Sequence, residues 1–146
     1  MIHFIKGNIF ESNAAALVNA VNTVGVMGKG IALEFKNRYP ENNKIYKTAC
    51  DNGELKTGNV LAVKETDDKM IINFPTKALW KDASKYEYIK NGLKALKYKI
   101  KKQDLKSIAM PALGCGLGGL KWEIVKELIE NELSSTNADI YVYEPQ

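Results

Sequence analysis

Apolar residues along this chain change their spacing repeatedly, between strand-like runs and helical periods. Met1 to Lys6 reads as a strand, and Ala15 to Val21 is so nearly all apolar that both of its faces should be covered. Gly30 to Tyr39 predicts a helix ended by Pro40, and Glu41 to Cys50 predicts another closed by Asn52-Gly53. Asn59 to Glu65 and Lys69 to Phe74 read as a hairpin joined through Thr66-Asp67-Asp68. Tyr86, Ile89, Leu93, Leu96 and Ile100 fall at helical spacing and predict a long amphipathic helix with lysines on its outer side. Ser107 to Pro111 predicts a strand, Lys121 to Leu133 a helix, and Asp139 to Tyr143 a last strand. Strands alternating with helices in this way build an α/β domain around a parallel or mixed sheet. Ligands of such folds gather at the carboxyl ends of the strands.

The 146 residues suffice for one domain with its own core, 1–146, and no repeat or linker divides them. Hydrophobic residues at 45% and charged residues at 26% are ordinary for a globular protein, and no apolar run approaches membrane-spanning length. The start, Met-Ile-His-Phe-Ile-Lys, has no signal-peptide character, which points to the cytoplasm and away from membranes. Cys50 and Cys115 stand at no metal-like spacing, and His3, in the first strand, is the sole histidine. A Ser-His-Asp triad or a histidine-rich metal site therefore lacks its parts, and no metal is expected. The net charge of +4 is compatible with a nucleic-acid partner without demanding one. Lys94, Lys97, Lys99, Lys101, Lys102 and Lys106 form the densest basic stretch, which reads first as a solvated helix face.

Two glycine-rich loops carry the candidate chemistry. Met110 to Trp122 holds Gly114, Gly116, Gly118 and Gly119 between a strand and a helix, and Val24 to Ile31 holds Gly25, Gly28 and Gly30 in the same setting. Loops so poor in side chains let backbone N–H groups approach a ligand, and the helix start behind each favours negative charge, so together they predict a diphosphate held from two sides. Gly114, Gly116 and Gly119 literally match the dinucleotide fingerprint. The acid expected near the carboxyl end of the next strand is replaced by Asp139 at its beginning, which argues against that reading. A P-loop is excluded because Gly30, not Ser or Thr, follows Gly28-Lys29.

Asn19 and Asn22 bracket the end of the second strand, where a buried neutral amide can hold a sugar hydroxyl without the desolvation cost of an ion, or can cap the loop. Asn8 after Gly7 is either a turn residue or a reader of a base edge. Pro75 in Asn73-Phe-Pro-Thr-Lys77 stops strand pairing and rigidifies the exit, so Lys77 projects from a defined place. Trp80 is either a lid on the core or an exposed stacking surface.

Gly7-Asn8-Ile9, Val18-Asn-Ala-Val-Asn22, Met27-Gly-Lys-Gly-Ile-Ala32, Pro111-Ala-Leu-Gly-Cys-Gly116 and the closing helix and strand, in this order, resemble a macrodomain, the ADP-ribose-binding module. Within that family the Asn73-to-Lys77 segment with Trp80 is similar to the branch of DNA ADP-ribosyl glycohydrolase antitoxins. The resemblance implies a three-layer α/β/α fold with a mixed central sheet and no cofactor. It implies that Asn8 and Ile9 meet the adenine, and that Gly28, Lys29, Gly30, Ile31 and Ala32 clasp the diphosphate with Gly114, Cys115, Gly116 and Leu117. Asn22 would hold the distal ribose, with Asn19, Thr76, Leu113, Gly118 and Gly119 completing the ADP-ribose set. Lys77 would be catalytic at the anomeric carbon, acting as an amine on the sugar or as an ammonium on the leaving group. Trp80 and Lys81 would contact DNA. The implied partners are ADP-ribosylated substrate, single-stranded DNA and a cognate DNA ADP-ribosyltransferase toxin. Two departures stand out: macrodomains commonly carry Asp where Asn8 stands, and the human terminal ADP-ribose glycohydrolase has a catalytic Asp where this chain has Gly118. Other readings are a protein glutamate or aspartate ADP-ribosyl hydrolase, an ADP-ribose 1″-phosphate phosphatase, and a non-catalytic ADP-ribose reader.

Overall fold

In the computed structural model, which describes residues 1–65 and 67–145, the strands form one sheet in the order β1-β6-β5-β2-β4-β3. The strands are β1 (Ile2–Ile5), β2 (Ala16–Val21), β3 (Leu61–Lys64), β4 (Met70–Pro75), β5 (Ser107–Pro111) and β6 (Asp139–Tyr143). Only the predicted hairpin, β3 with β4, pairs antiparallel; the other neighbours run parallel, so the sheet is mixed. Thr66, part of the predicted hairpin connection, and Gln146 lie outside the described residues.

Strand alternation divides the molecule into two cores. On one face Ala16, Val18, Ile72, Phe74, Ile108 and Met110 pack under α3 (Tyr86–Lys102) and α4 (Trp122–Leu133). On the other, Leu17, Val21, Ile71 and Ala109 pack under α1 (Gly30–Arg38) and α2 (Pro40–Asp51). Each large apolar side chain enclosed in these layers contributes about 1.5–3 kcal/mol. The result is the predicted α/β/α stack.

Boundaries differ from the sequence reading for local reasons. Lys121 is extended and caps α4 instead of opening it, and Pro40 opens α2, where its missing N–H costs nothing. Two short 3-10 turns, Ile9–Glu11 and Gly116–Gly118, fall in segments without apolar periodicity. The helix α1 has one fully buried side chain, Phe35, wedged between Phe10 and Tyr39. That ring, with Ile31 and Ala32 packed beside it, anchors α1, and no side chain caps its start at Lys29.

Gly92 shows how tightly α3 lies on the sheet. A Cβ at this position would overlap the ring of Phe74, which is itself fully buried. Alanine normally improves a helix interior by about 1 kcal/mol over glycine, whereas overpacking a core costs about 1–3 kcal/mol. Gly92→Ala is therefore expected to lower Tm by several degrees, with Phe74→Leu recovering most of the loss. Calorimetry that showed Gly92→Ala more stable than wild type would refute this close packing.

Candidate functional site

Three parallel strands, β2, β4 and β5, end side by side, and the segments leaving them enclose a cavity of about 390 Å³. Asn22 lines it from the β2 exit, Thr76 and Lys77 from the β4 exit, and Pro111 and Ala112 from the β5 exit. Gly28, Lys29, Gly30, Ile31 and Ala32 form one wall, and Gly114, Cys115, Leu117 and Gly118 the opposite one. The two glycine loops thus face each other across one space, as the sequence predicts. A second, more open hollow of about 860 Å³ holds Asn8 and Ile9 and shares Ile31, Pro111 and Ala112 with the first. The two hollows adjoin, with Asn8 lining one and Lys77 the other.

Polar groups at the β2 exit are committed to one another. Asn22 Oδ1 accepts from the N–H groups of Val24, Gly25 and Val26 at 3.1, 3.2 and 3.4 Å, while Asn22 Nδ2 donates to the Val26 carbonyl at 2.9 Å. The Tyr46 hydroxyl, rising from α2, lies 2.8 Å from both the Asn22 carbonyl and Asn22 Oδ1. Burial raises the Tyr46 pKa, so this phenol stays a protonated donor. Asn22 is therefore a loop organiser with one amide proton left to offer a ligand.

The same exit fixes Lys77. Thr76 N–H donates to the Val21 carbonyl at 2.9 Å, extending the ladder one bond beyond Pro75, and both Thr23 N–H and Thr23 Oγ1–H donate to the Ala78 carbonyl at 3.0 Å. Lys77 thus stands between two residues tied to β2, half-buried and facing the cavity.

The walls favour an anion. The first helical bond of α1 runs from Leu33 N–H to the Lys29 carbonyl, so the preceding N–H groups of Gly30, Ile31 and Ala32 have no partner one turn earlier. They lie on the cavity wall at the positive end of the α1 dipole. Opposite, Gly114 adopts φ +75°, and a Cβ there would sit 2.6 Å from Leu120 Cδ1, so glycine alone fits this bend. Cys115 also lines the cavity; burial and then Glu123 raise its pKa, which keeps the thiol neutral.

Other predicted residues lie elsewhere. Asn19 is fully buried beneath the loop, its Nδ2 donating to Met27 Sδ at 3.6 Å and its Oδ1 without a partner among the described residues. Leu113 is buried in the core under α3 and α4. Gly116, Gly119 and Lys81 are exposed outside the cavity lining. Asn8 lines the open hollow, and its Oδ1 accepts from Phe10 N–H at 3.0 Å as the cap of a 3-10 turn. Trp80 is 58% exposed at the cavity mouth, a surface and not a core lid. The sole histidine, His3, stacks on Tyr141 in the sheet, away from the lining. The sequence reading missed Tyr46, and also Ser84, whose N–H donates to the Gly118 carbonyl at 3.0 Å. A Cβ at Gly118 would overlap Ser84 Oγ, so the wall that carries Gly118 has no room for a side chain in this direction.

The Macro domain family profile matches residues 18–129. The DNA ADP-ribosyl glycohydrolase of Thermus aquaticus is 43% identical over 99% of this chain, which spans 41% of that relative's length. Among solved structures, the macrodomain of Thermus aquaticus DarG superposes with a TM-score of 0.95 at 43% identity, with 99% of each chain covered. Thermosipho africanus DarTG in complex with ADP-ribose superposes with a TM-score of 0.94 at 36% identity, covering 99% of this chain and 41% of that one.

Two substitutions check the geometry. Tyr46→Phe leaves the buried Asn22 carbonyl short of a donor and is expected to cost about 1–3 kcal/mol, read as a lower urea midpoint. Gly118→Ala should cost about 1–3 kcal/mol through its clash with Ser84, and Ser84→Gly in the same chain should recover most of it. Additive losses in that double-mutant cycle would disprove the contact.

Proposed function

This chain belongs to the macrodomain family, and from that premise we propose that it is an ADP-ribosyl glycohydrolase that removes ADP-ribose from thymidine in DNA. The observation that carries the reading is Lys77, which lines the same cavity as the two glycine-rich walls, one of which has glycine, not an acid, at position 118. The similarity to proteins named DNA ADP-ribosyl glycohydrolase supports the substrate class.

Bound ADP-ribose lies along the groove. Its adenine enters the open hollow, where Ile9 offers an apolar surface and Asn8 an amide edge. The diphosphate crosses between the α1 N–H groups and the Gly114-to-Gly118 loop, whose backbone N–H groups hydrogen-bond its oxygens. The distal ribose reaches the free proton of Asn22 Nδ2, with its anomeric carbon at Lys77. Fixing both ends of the diphosphate orients the scissile bond and removes much of the entropic barrier. Cleavage breaks the bond between the anomeric carbon and the base nitrogen, whose electron pair leaves with the base. Positive charge builds on the ribose, water supplies the hydroxyl, and a proton is returned to the departing base. Lys77 serves this step either as an ammonium that hydrogen-bonds the leaving group or as an amine that adds to the anomeric carbon. Only the second route leaves a transient ADP-ribosyl adduct on the chain, which mass spectrometry of quenched turnover detects. Trp80 offers the base a stacking face, worth about 1–3 kcal/mol per base, and Lys81 a phosphate contact.

An enzyme of this kind acts in the cytoplasm as an antitoxin, reversing the product of a cognate DNA ADP-ribosyltransferase. The similarity to a DarTG protein supports that pairing.

The deciding test presents thymidine-ADP-ribosylated oligonucleotide and glutamate-ADP-ribosylated protein to wild type and Lys77→Ala. Wild type is expected to release ADP-ribose from the oligonucleotide. Lys77→Ala should slow this at least 100-fold, in line with removal of a positioned acid–base or nucleophilic group, with ADP-ribose affinity within a few-fold of wild type. Turnover of the protein substrate alone would reassign the chain to carboxylate-linked ADP-ribose. Tight binding without turnover of either substrate would make it a reader, unless phosphate were released from ADP-ribose 1″-phosphate.

A further inference from the structure

We propose that the outer face of α3 is a track for the sugar-phosphate backbone of a single-stranded nucleic acid extending from the pocket. This rests on the reading that the substrate is DNA-linked ADP-ribose and deepens it.

Lys90, Lys94, Lys97 and Lys101 recur at steps of four, three and four residues and are all exposed, so they form one stripe along the helix. At the helical rise the stripe is about 16 Å long, the span of several nucleotides. With Lys99 and Lys102 the helix holds six lysines against a single acid, Glu87, in its first turn. That excess exceeds the net charge of the whole chain, +4.

Ion pairing separates α3 from α1 and α2. Arg38 on α1 pairs with Glu34, and Lys44 and Lys47 on α2 pair with Glu41 and Asp51. Among the described residues no lysine of α3 enters an ion pair; Lys102 instead rests 5.7 Å from the ring of Tyr98. Like charges one turn apart cost about 0.2–0.5 kcal/mol per pair, so the stripe carries a repulsion that a bound polyanion relieves.

The partner's chemistry follows from what else the face offers. Ile89, Leu93, Leu96 and Ile100 are enclosed in the core, so α3 has no apolar side to insert into lipid. Tyr98, 63% exposed, is the stripe's one large apolar group and can stack on a base. Lysine is depleted at protein interfaces, whereas phosphates attract it without further design. The N-terminal end of α3 is tied to the pocket wall, because Ser84, just ahead of the helix, donates to the carbonyl of cavity-lining Gly118, and the stripe begins at Lys90 in the second turn.

The test compares wild type with Lys90→Gln/Lys94→Gln/Lys97→Gln/Lys101→Gln, none of which touches the pocket. Anisotropy of an unmodified single-stranded oligonucleotide, titrated across salt concentrations, needs no turnover. Wild type should bind, and the variant should lose about tenfold at low salt, with the slope of log affinity against log salt reduced by about 2–3, near 0.7 per lysine removed. In the glycohydrolase assay, kcat/KM for an ADP-ribosylated oligonucleotide should fall by a similar factor, while that for ADP-ribosyl-thymidine nucleoside stays within twofold. Replacement of all four by arginine should keep oligonucleotide binding. Equal losses on both substrates, an unchanged salt slope, or loss of binding to an acidic protein but not to the oligonucleotide would each overturn the track. If wild type binds the oligonucleotide in this manner but hydrolyses neither substrate, the glycohydrolase reading fails and the track stands.

Discussion

Hydrogen bonds leaving the end of β2 hold the site together. A parallel strand that ends inside an α/β domain must dispose of its last polar groups, because water reaches them poorly and each orphan costs about 1–3 kcal/mol. Here Val21, Asn22 and Thr23 spend those groups on the two segments that build the pocket. Val21 accepts from Thr76, Thr23 donates to Ala78, and Asn22 gathers its own loop while Tyr46 closes it from below. The fold and the site are thus one set of bonds. Lys77 is fixed because satisfying the strand end requires its neighbours to be fixed.

A second constraint acts deeper in the same layer. Asn42 on α2 and Asn73 on β4 exchange amide hydrogen bonds at 3.1 and 2.9 Å, and Asn73 Nδ2 also donates to the Leu61 carbonyl. Both side chains are fully buried. Sliding α2 along the sheet would orphan both amides, so the pair selects a single depth for the helix. That depth delivers the Tyr46 hydroxyl to Asn22.

Much of this was legible in the sequence because its signals are local. The helices α3 and α4 follow the period of their apolar residues, β2 follows its continuous apolar run, and the hairpin pairs antiparallel. The glycine loops announced themselves by density, and the cavity lies between them. Residues acting across the chain gave no such signal. Tyr46 meets Asn22 at a separation of 24 residues, and Asn42 meets Asn73 at 31. In the sequence both Tyr46 and Asn42 fall within the segment read simply as a helix, with nothing to mark them. Asn19 shows the opposite failure: its place beside Asn22 suggested the pocket, but strand alternation turns it toward α1 and α2, under Met27. Ser84 was invisible because its effect, leaving no room at Gly118, belongs to its neighbour.

The uncapped start of α1 would make the proposed ligand part of the secondary structure. With no side chain capping its start and Phe35 as its one fully buried side chain, this helix draws little local stability from its own sequence. A diphosphate seated on its first N–H groups, as proposed, would supply the missing cap. By linkage, occupancy of the groove and order in the first turn of α1 then rise together. Amide hydrogens at Gly30, Ile31 and Ala32 would consequently exchange with solvent readily in the empty protein and slowly in the loaded one, so the wall of the pocket reports on its own contents.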